Sequence, residues 1–372
     1  MKIVLAFDSF KGSLDAPAVV AAVAKGIKRV SPEIEMIPCP VADGGEGTVS
    51  IVTEAAKGHT VTTAVHGPLN EYVTAQLGLI NQAKTAIIEA AQAIGLPLIE
   101  REKRDPTLTT SYGVGELIRN ALDMGAGQII IGIGGSATTD GGTGMAQALG
   151  VHFESCDSPM TGGKLANIAS IDLSALDKRI KNTSFQVAVD VSNPLLGPSG
   201  AARIFSPQKG ATPAQVELLE NGLRHLASLF PQVSTETAGS GAAGGLGWGL
   251  VAFLNAELKS GIDLILDLVG FENLIQGADL VITGEGSFDR QSLQGKAPIG
   301  VAKRAVAMNI PVVVLAGDHN VSPEEYGQYG IINCYSICKY FNISVEESIT
   351  KAPVLLKDLA ASVIPQFIQS EL

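Results

Sequence analysis

The sequence predicts an α/β protein, a parallel-sheet domain with a second, inserted α+β domain. Three observations predict it. Short apolar runs rich in β-branched residues alternate with amphipathic stretches. The middle of the chain carries closely spaced strand-like segments. Turns rich in glycine and carboxylates follow several of the apolar runs. Apolar runs with no polar alternation are strands buried on both faces, as in parallel sheets covered by helices.

Taken in order, residues 3–6 read as a strand and 19–30 as a helix; 34–39 and 48–56 repeat the pattern. Residues 115–122 form a helix before the strand 129–131. Strands at 280–283 and 312–316 flank a helix at about 298–307, and 331–337 is the last strand. A C-terminal helix carries Val345, Ile349, Leu356, Leu359 and Val363 on one stripe, with a kink expected at Pro353. The segments 60–65, 73–80 and 85–89 are spaced like antiparallel hairpins, with turns at Gly67-Pro68 and Asn81-Gln82, and 185–191 adds a later strand. At 372 residues two domains are expected. The first takes residues 1–60, 105–150 and 270–372; the inserted one takes 61–104 and 151–269.

With 46% hydrophobic and 17% charged residues, the chain is globular. Its net charge of −11 and lack of a basic patch exclude nucleic acid as a partner. An anionic substrate then needs local lysines, arginines or a bound cation. The four cysteines and five histidines show no zinc-like spacing and read as structural. Residues 1–7 read as a strand and not as a signal peptide, and no long apolar run suggests a membrane span, so a cytoplasmic protein is expected. Monomer and homodimer both fit.

Ligands of open α/β sheets gather at the carboxyl ends of strands. Four turns fall there: Asp8-Ser-Phe-Lys-Gly-Ser13, Asp43-Gly-Gly-Glu-Gly47, the 132–142 loop and Gly284-Glu-Gly-Ser-Phe-Asp289. In the 132–142 loop, the amides of Gly134, Gly135 and Ser136 and the hydroxyls of Ser136, Thr138 and Thr139 suit phosphate oxygens. The 239–247 run, with Gly244 and Gly245, is a second phosphate candidate. Either run alone is equally a tight turn or a close helix contact. No P-loop, protein-kinase signature or GxSxG elbow is present.

Asp190, at the end of an apolar strand, is expected to be an acid–base or metal group, or else a structural ion pair. Glu285 and Asp289 are spaced to hold Mg²⁺, or to favour a helix N-terminus. Lys11 follows a strand end by a few residues and could meet a carboxylate or phosphate, as could Lys296; the alternative is that both are solvated, as isolated lysines usually are.

Read together, Asp8-Ser-Phe-Lys-Gly-Ser13, Val41-Ala-Asp-Gly-Gly-Glu-Gly47, Lys103-Arg-Asp-Pro106, Gly132-Ile-Gly-Gly-Ser-Ala137, Asn193-Pro-Leu195, Pro207-Gln-Lys-Gly-Ala211, Gly241-Ala-Ala-Gly-Gly245 and Ile282-Thr-Gly-Glu-Gly286 closely resemble, in that order, the type-1 glycerate kinase family of bacterial glycerate 2-kinases. Phe7, Thr139 and Ser287 depart from residues common in that family.

The resemblance implies a flavodoxin-like domain with a restriction-endonuclease-like one. It implies transfer of the ATP γ-phosphoryl group to D-glycerate with Mg²⁺, giving 2-phosphoglycerate. On that reading Asp190 accepts the hydroxyl proton and Lys11 and Arg203 bind the glycerate carboxylate or the transferred group. Asp8, Ser9, Asp43, Gly44, Gly45 and Glu46 bind substrate. Gly134, Gly135, Ser136, Thr138, Gly244 and Gly245 bind the nucleotide phosphates, and Glu285 and Asp289 hold the metal. Two other functions compete. One is an NAD(P)-dependent oxidoreductase, since Gly132-Ile-Gly134 with Ala137 loosely matches a dinucleotide fingerprint but lacks its acidic residue about 20 positions on. The other is a non-enzymatic small-acid binding protein.

Overall fold

The computed structural model describes residues 1–368. They form two compact units. One comprises Met1–Asp43 and the described residues from Ile262 onward; the other is Gly44–Gly261. The strands of the two main sheets are β1 (Lys2–Phe7), β2 (Glu35–Pro38), β3 (His59–His66), β4 (Tyr72–Ile80), β5 (Thr85–Glu89), β6 (Gln128–Gly132), β7 (Ser184–Val189), β8 (Glu257–Ser260), β9 (Leu280–Gly284), β10 (Val312–Ala316) and β11 (Ile331–Ser336).

The first unit is a five-stranded sheet in the order β11-β10-β9-β1-β2, parallel throughout. β9 and β10 are buried along their whole length, which explains their unbroken apolar runs. Helices cover both faces. Ala16–Val30 and Val345–Val363 pack on one side through Val19, Val23, Ile27, Leu356 and Leu359. They approach closely enough that a Cβ on Gly26 would fall 2.2 Å from the Lys357 carbonyl oxygen. The C-terminal helix runs through Pro353 as one element. On the other face, Ala297–Ala307 and Gly261–Val269 bury Ile299, Ala302, Ala305, Ile262 and Leu266.

Numbered along this unit, the strand order is 2-1-3-4-5. It reverses between β1 and β9, and the crevice beyond their carboxyl ends is where such sheets bind ligands.

The second unit is a mixed six-stranded sheet, β8-β7-β6-β5-β4-β3. β3, β4 and β5 are antiparallel, as their spacing predicts. The remaining pairs are parallel. Trp248, fully buried, anchors its core with Phe230 and Phe253 in edge-to-face contact.

The observed units differ from the expected domains. Residues 105–150, expected with the first domain, lie in the second unit because β6 pairs with β5 and β7. Residues 44–60 also belong there, and the first unit resumes at Ile262 instead of about 270. The helix Ala242–Leu254 ends where Asn255 takes a left-handed conformation, and β8 follows.

Candidate active site

In the first unit, β1 ends at Phe7 and delivers Asp8 to the switch point. Residues 39–41 continue alongside β1, with the Cys39 and Val41 N–H groups donating to the Leu5 and Phe7 carbonyls, and carry the chain to Asp43. Lys11 Nζ stands 3.7 Å from Asp43 Oδ2. β9 delivers Glu285 beside them. Gly284, just before it, has no room for a side chain, since a Cβ would fall 1.8 Å from the Leu315 carbonyl oxygen. A cavity of about 280 Å³ opens here, lined by Asp8, Lys11, Glu285, Asp289 and Lys296 among others.

This crevice is electrostatically strained. Burial raises the Asp8 carboxyl above the usual carboxylate range and Asp43 adds to the rise, against the Ser9 N–H that donates to Asp8 Oδ1 at 2.6 Å, and against Lys11. Burial pushes Glu285 up to about 7, opposed by the Ser292 hydroxyl and Lys296. The Oε1 of Glu285 and the hydroxyls of Ser9 and Thr283 are buried without hydrogen-bond partners. Three such orphaned oxygens in one crevice leave acceptors and donors there for a ligand to satisfy.

The oxygen donors Asp8 and Glu285 fit a hard cation such as Mg²⁺. Among the described residues no group of three or more His, Cys, Asp or Glu is arranged to hold a metal. Mg²⁺ usually takes one or two carboxylates and fills its shell with phosphate and water, so the donor set fits. Asp289 lines the cavity, but its Oδ1 accepts the N–H groups of Gln291 and Ser292 and so starts a 3₁₀ turn.

In the second unit β6 runs into the 132–142 loop. A Cβ on Gly132 would fall 2.2 Å from the Gly44 carbonyl oxygen, and one on Gly134 3.1 Å from the Gly45 Cα. Gly44 and Gly45 therefore lie directly on this loop. Gly135, exposed and at φ +75°, turns it outward. Ser136 and Thr138 are buried, and the Thr138 hydroxyl has no partner. Gly244 and Gly245 take left-handed conformations where they pack on this loop, and a Cβ on Gly244 would fall 2.1 Å from the Thr138 carbonyl oxygen. Close packing alone accounts for glycine at both.

Glu46 is exposed, and Asp190 lies, exposed, just past the end of β7. Arg203, on the helix Ala201–Phe205, is bound through both terminal nitrogens to Glu217, at 2.6 and 3.0 Å, so its guanidinium is committed to a neighbouring acid.

Three buried charged residues of this unit escape sequence reasoning. Glu89 ends β5 and is 4% exposed. It accepts the N–H groups of Val49 and Gly47 and so caps the helix Thr48–Ala55, whose own N-cap residue supplies no side chain. Gln92 also donates to it, its amide oxygen being taken by the Gln76 N–H. Burial still pushes Glu89 up to about 7. Asp140, fully buried, accepts from the Ser111 N–H and hydroxyl and from the Gly142 and Gly144 N–H groups. Lys209, 2% exposed, donates to Ser136 Oγ and the Thr138 carbonyl, and burial lowers it to about 7 against the pull of Asp140. The reasoning that singled out Asp190, an acid ending an apolar strand, applies equally to Glu89. Lys209 lies in the Pro207–Ala211 motif, but as a lone lysine it gives no sign of its burial or role.

The glycerate kinase family model matches residues 3–368. The glycerate kinase of Bacillus subtilis is 48% identical over 344 residues, 91% of this chain and 90% of the relative. The glycerate 2-kinase of Escherichia coli is 47% identical over 346 residues, again 91% and 90%. A crystal structure described as a glycerate kinase 2 from Salmonella typhimurium LT2 superposes with a TM-score of 0.85 at 43% identity, covering 100% of this chain and 99% of that one.

Proposed function

The chain belongs to the glycerate kinase family, and from that premise we propose that it transfers the ATP γ-phosphoryl group to D-glycerate, giving 2-phosphoglycerate. One observation carries the proposal for the first unit. At its topological switch point, two buried carboxylates with an unpartnered oxygen stand in a cavity that also holds two lysines. Phosphoryl transfer needs charge neutralisation and alignment more than covalent chemistry, and this crevice supplies both signs of charge.

Glu285 and Asp8 would hold Mg²⁺, with Asp289 at the rim. Bound there, Mg²⁺ offsets the negative charge of the phosphates. Lys11 and Lys296 bind the anionic groups of glycerate and of the transferred phosphoryl. Lys296 takes the place first expected of Arg203, whose charge Glu217 already occupies. Asp43 orients Lys11. In the second unit the 134–136 amides and the Thr138 hydroxyl hold the nucleotide phosphates. Gly44 and Gly45 let the backbone lie close to them, and Glu46 orients the substrate. Asp190, accessible at a strand end, accepts the hydroxyl proton.

The strand order 2-1-3-4-5 supports a flavodoxin-like first unit. The mixed sheet of the second is compatible with a restriction-endonuclease-like one. No helix among the described residues is long and apolar enough to cross a membrane. We place the reaction in the cytoplasm, where ATP is supplied.

The test is an ATP- and Mg²⁺-dependent assay on D-glycerate with the product identified by NMR. Formation of 2-phosphoglycerate is expected. Formation of 3-phosphoglycerate would overturn the regiochemistry, and absence of phosphorylated product would overturn the activity.

A further inference from the structure

Lys209 is the last residue of the 3₁₀ turn Pro207–Lys209, and Gly210 follows at φ +98°. That glycine is obligatory, because a Cβ would fall 2.1 Å from the Arg104 carbonyl oxygen. Arg104 in turn donates to the Leu96 and Ile99 carbonyls. The Leu96 N–H donates to the Gly135 carbonyl, and the Ala137 N–H to that of Ile94. The Ser206 and Thr139 hydroxyls stand 3.1 Å apart. Lys209 is thus pinned under the 132–142 loop by contacts on both sides.

Its amine donates to Ser136 Oγ at 3.0 Å and to the Thr138 carbonyl. With the amine donating to it, Ser136 Oγ is the acceptor in this pair. The Ser136 proton must therefore point away from Lys209. A buried amine with two hydrogen-bond partners is costly and is poorly explained as packing alone, since an apolar side chain of similar volume would fill the same space. What the lysine adds is a donor of fixed direction.

Building on the kinase reading above, we infer that Lys209 is a positioning residue for the nucleotide. It fixes Ser136 with its hydroxyl proton turned outward to a phosphate oxygen. Asp140 completes the arrangement from the far side. By gathering the N–H groups of Ser111, Gly142 and Gly144, it fixes the distal end of the same loop. Lys209 itself touches no substrate.

The test compares Lys209→Met, Ser136→Ala and the double variant in the full chain. ATP and D-glycerate dependence are measured separately, and each protein is melted in parallel. Each single variant should raise KM for ATP about tenfold, the scale of one lost hydrogen bond to a charged group. KM for D-glycerate should stay within twofold. The double variant should be no worse than the more impaired single, because both remove the same donated proton. Additive effects, equal changes in both KM values, or an unchanged KM for ATP in Ser136→Ala would overturn the inference. If Lys209→Met fails to fold, Lys209→Gln replaces it under the same criteria. If the unaltered protein does not phosphorylate D-glycerate, the functional reading fails instead, and ATP affinity by calorimetry carries the same comparison.

Discussion

Gly132 and Gly44 touch so closely that neither can be treated as a spacer. The position of a Cβ on Gly132 lies 2.2 Å from the carbonyl oxygen of Gly44, and one on Gly44, held at φ +96°, would lie 2.7 Å from the Ala188 Cβ. The end of β6 is therefore moulded to the turn that follows Asp43. Gly132→Ala should force backbone apart and destabilise the protein by about 1–3 kcal/mol, the usual scale of overpacking. Urea denaturation measures it; a stability equal to the parent protein would show that the turn can move aside freely.

Asp190→Asn should lower kcat about 10²–10⁴-fold with ATP affinity kept, as expected when a general base is lost. Turnover near the parent level would remove Asp190 from the role. The carboxyl of Asp8 would then be the next to test by the same substitution.

Lys296→Ala should raise KM for D-glycerate or ATP at least tenfold, whereas Arg203→Ala should leave both within twofold. The contrast follows from placement. Lys296 lines the switch-point cavity, while the guanidinium of Arg203 is bound at both ends to Glu217 on the surface. Steady-state kinetics on the two variants decide it.

The pH dependence of stability has a definite sign. The folded state raises Glu285 to about 7 by burial, so between the ordinary glutamate range and pH 7 the folded protein binds more protons than the unfolded one. The contribution of this group is present at low pH and is lost as the pH rises through about 7. Melting curves without divalent ions should therefore show less fall in stability over this window for Glu285→Gln than for the parent. Catalysis runs the other way, since the ionised carboxylate is the form that holds a cation.

Glu89→Gln should destabilise by about 1–3 kcal/mol, because an amide nitrogen would replace an acceptor where the Gly47 and Val49 N–H groups converge. Chemical denaturation and exchange of the amides at the start of the helix Thr48–Ala55 read out the effect.

Much of this was legible in the residues, and the exceptions share a cause. β10 and β9 announce themselves as unbroken apolar runs, and Glu285 stands out because a carboxylate between glycines follows such a run. β6 is equally clear as a strand, yet Ile129, Ile130 and Ile131 are buried on both faces and would look the same in either sheet. Pairing partners are set by contacts far along the chain, which periodicity does not encode, so residues 105–150 were expected in the other unit. The pairing of Arg203 and the burial of Lys209 escape periodicity for the same reason. One is spoken for by Glu217 and the other is sealed under Ser136, and both facts depend on segments remote in sequence.

The unpartnered oxygen of Glu285 also makes the folded state sensitive to its environment. Any molecule that brings a cation or a hydrogen-bond donor to that oxygen binds the native form and not the unfolded one, and so raises the melting temperature with concentration. The protein thereby reports its own occupancy. A simple thermal-shift screen over divalent ions, nucleotides and small hydroxy acids would rank what this crevice holds, and the same linkage would leave ligand-starved molecules open to proteases for longer in the cell.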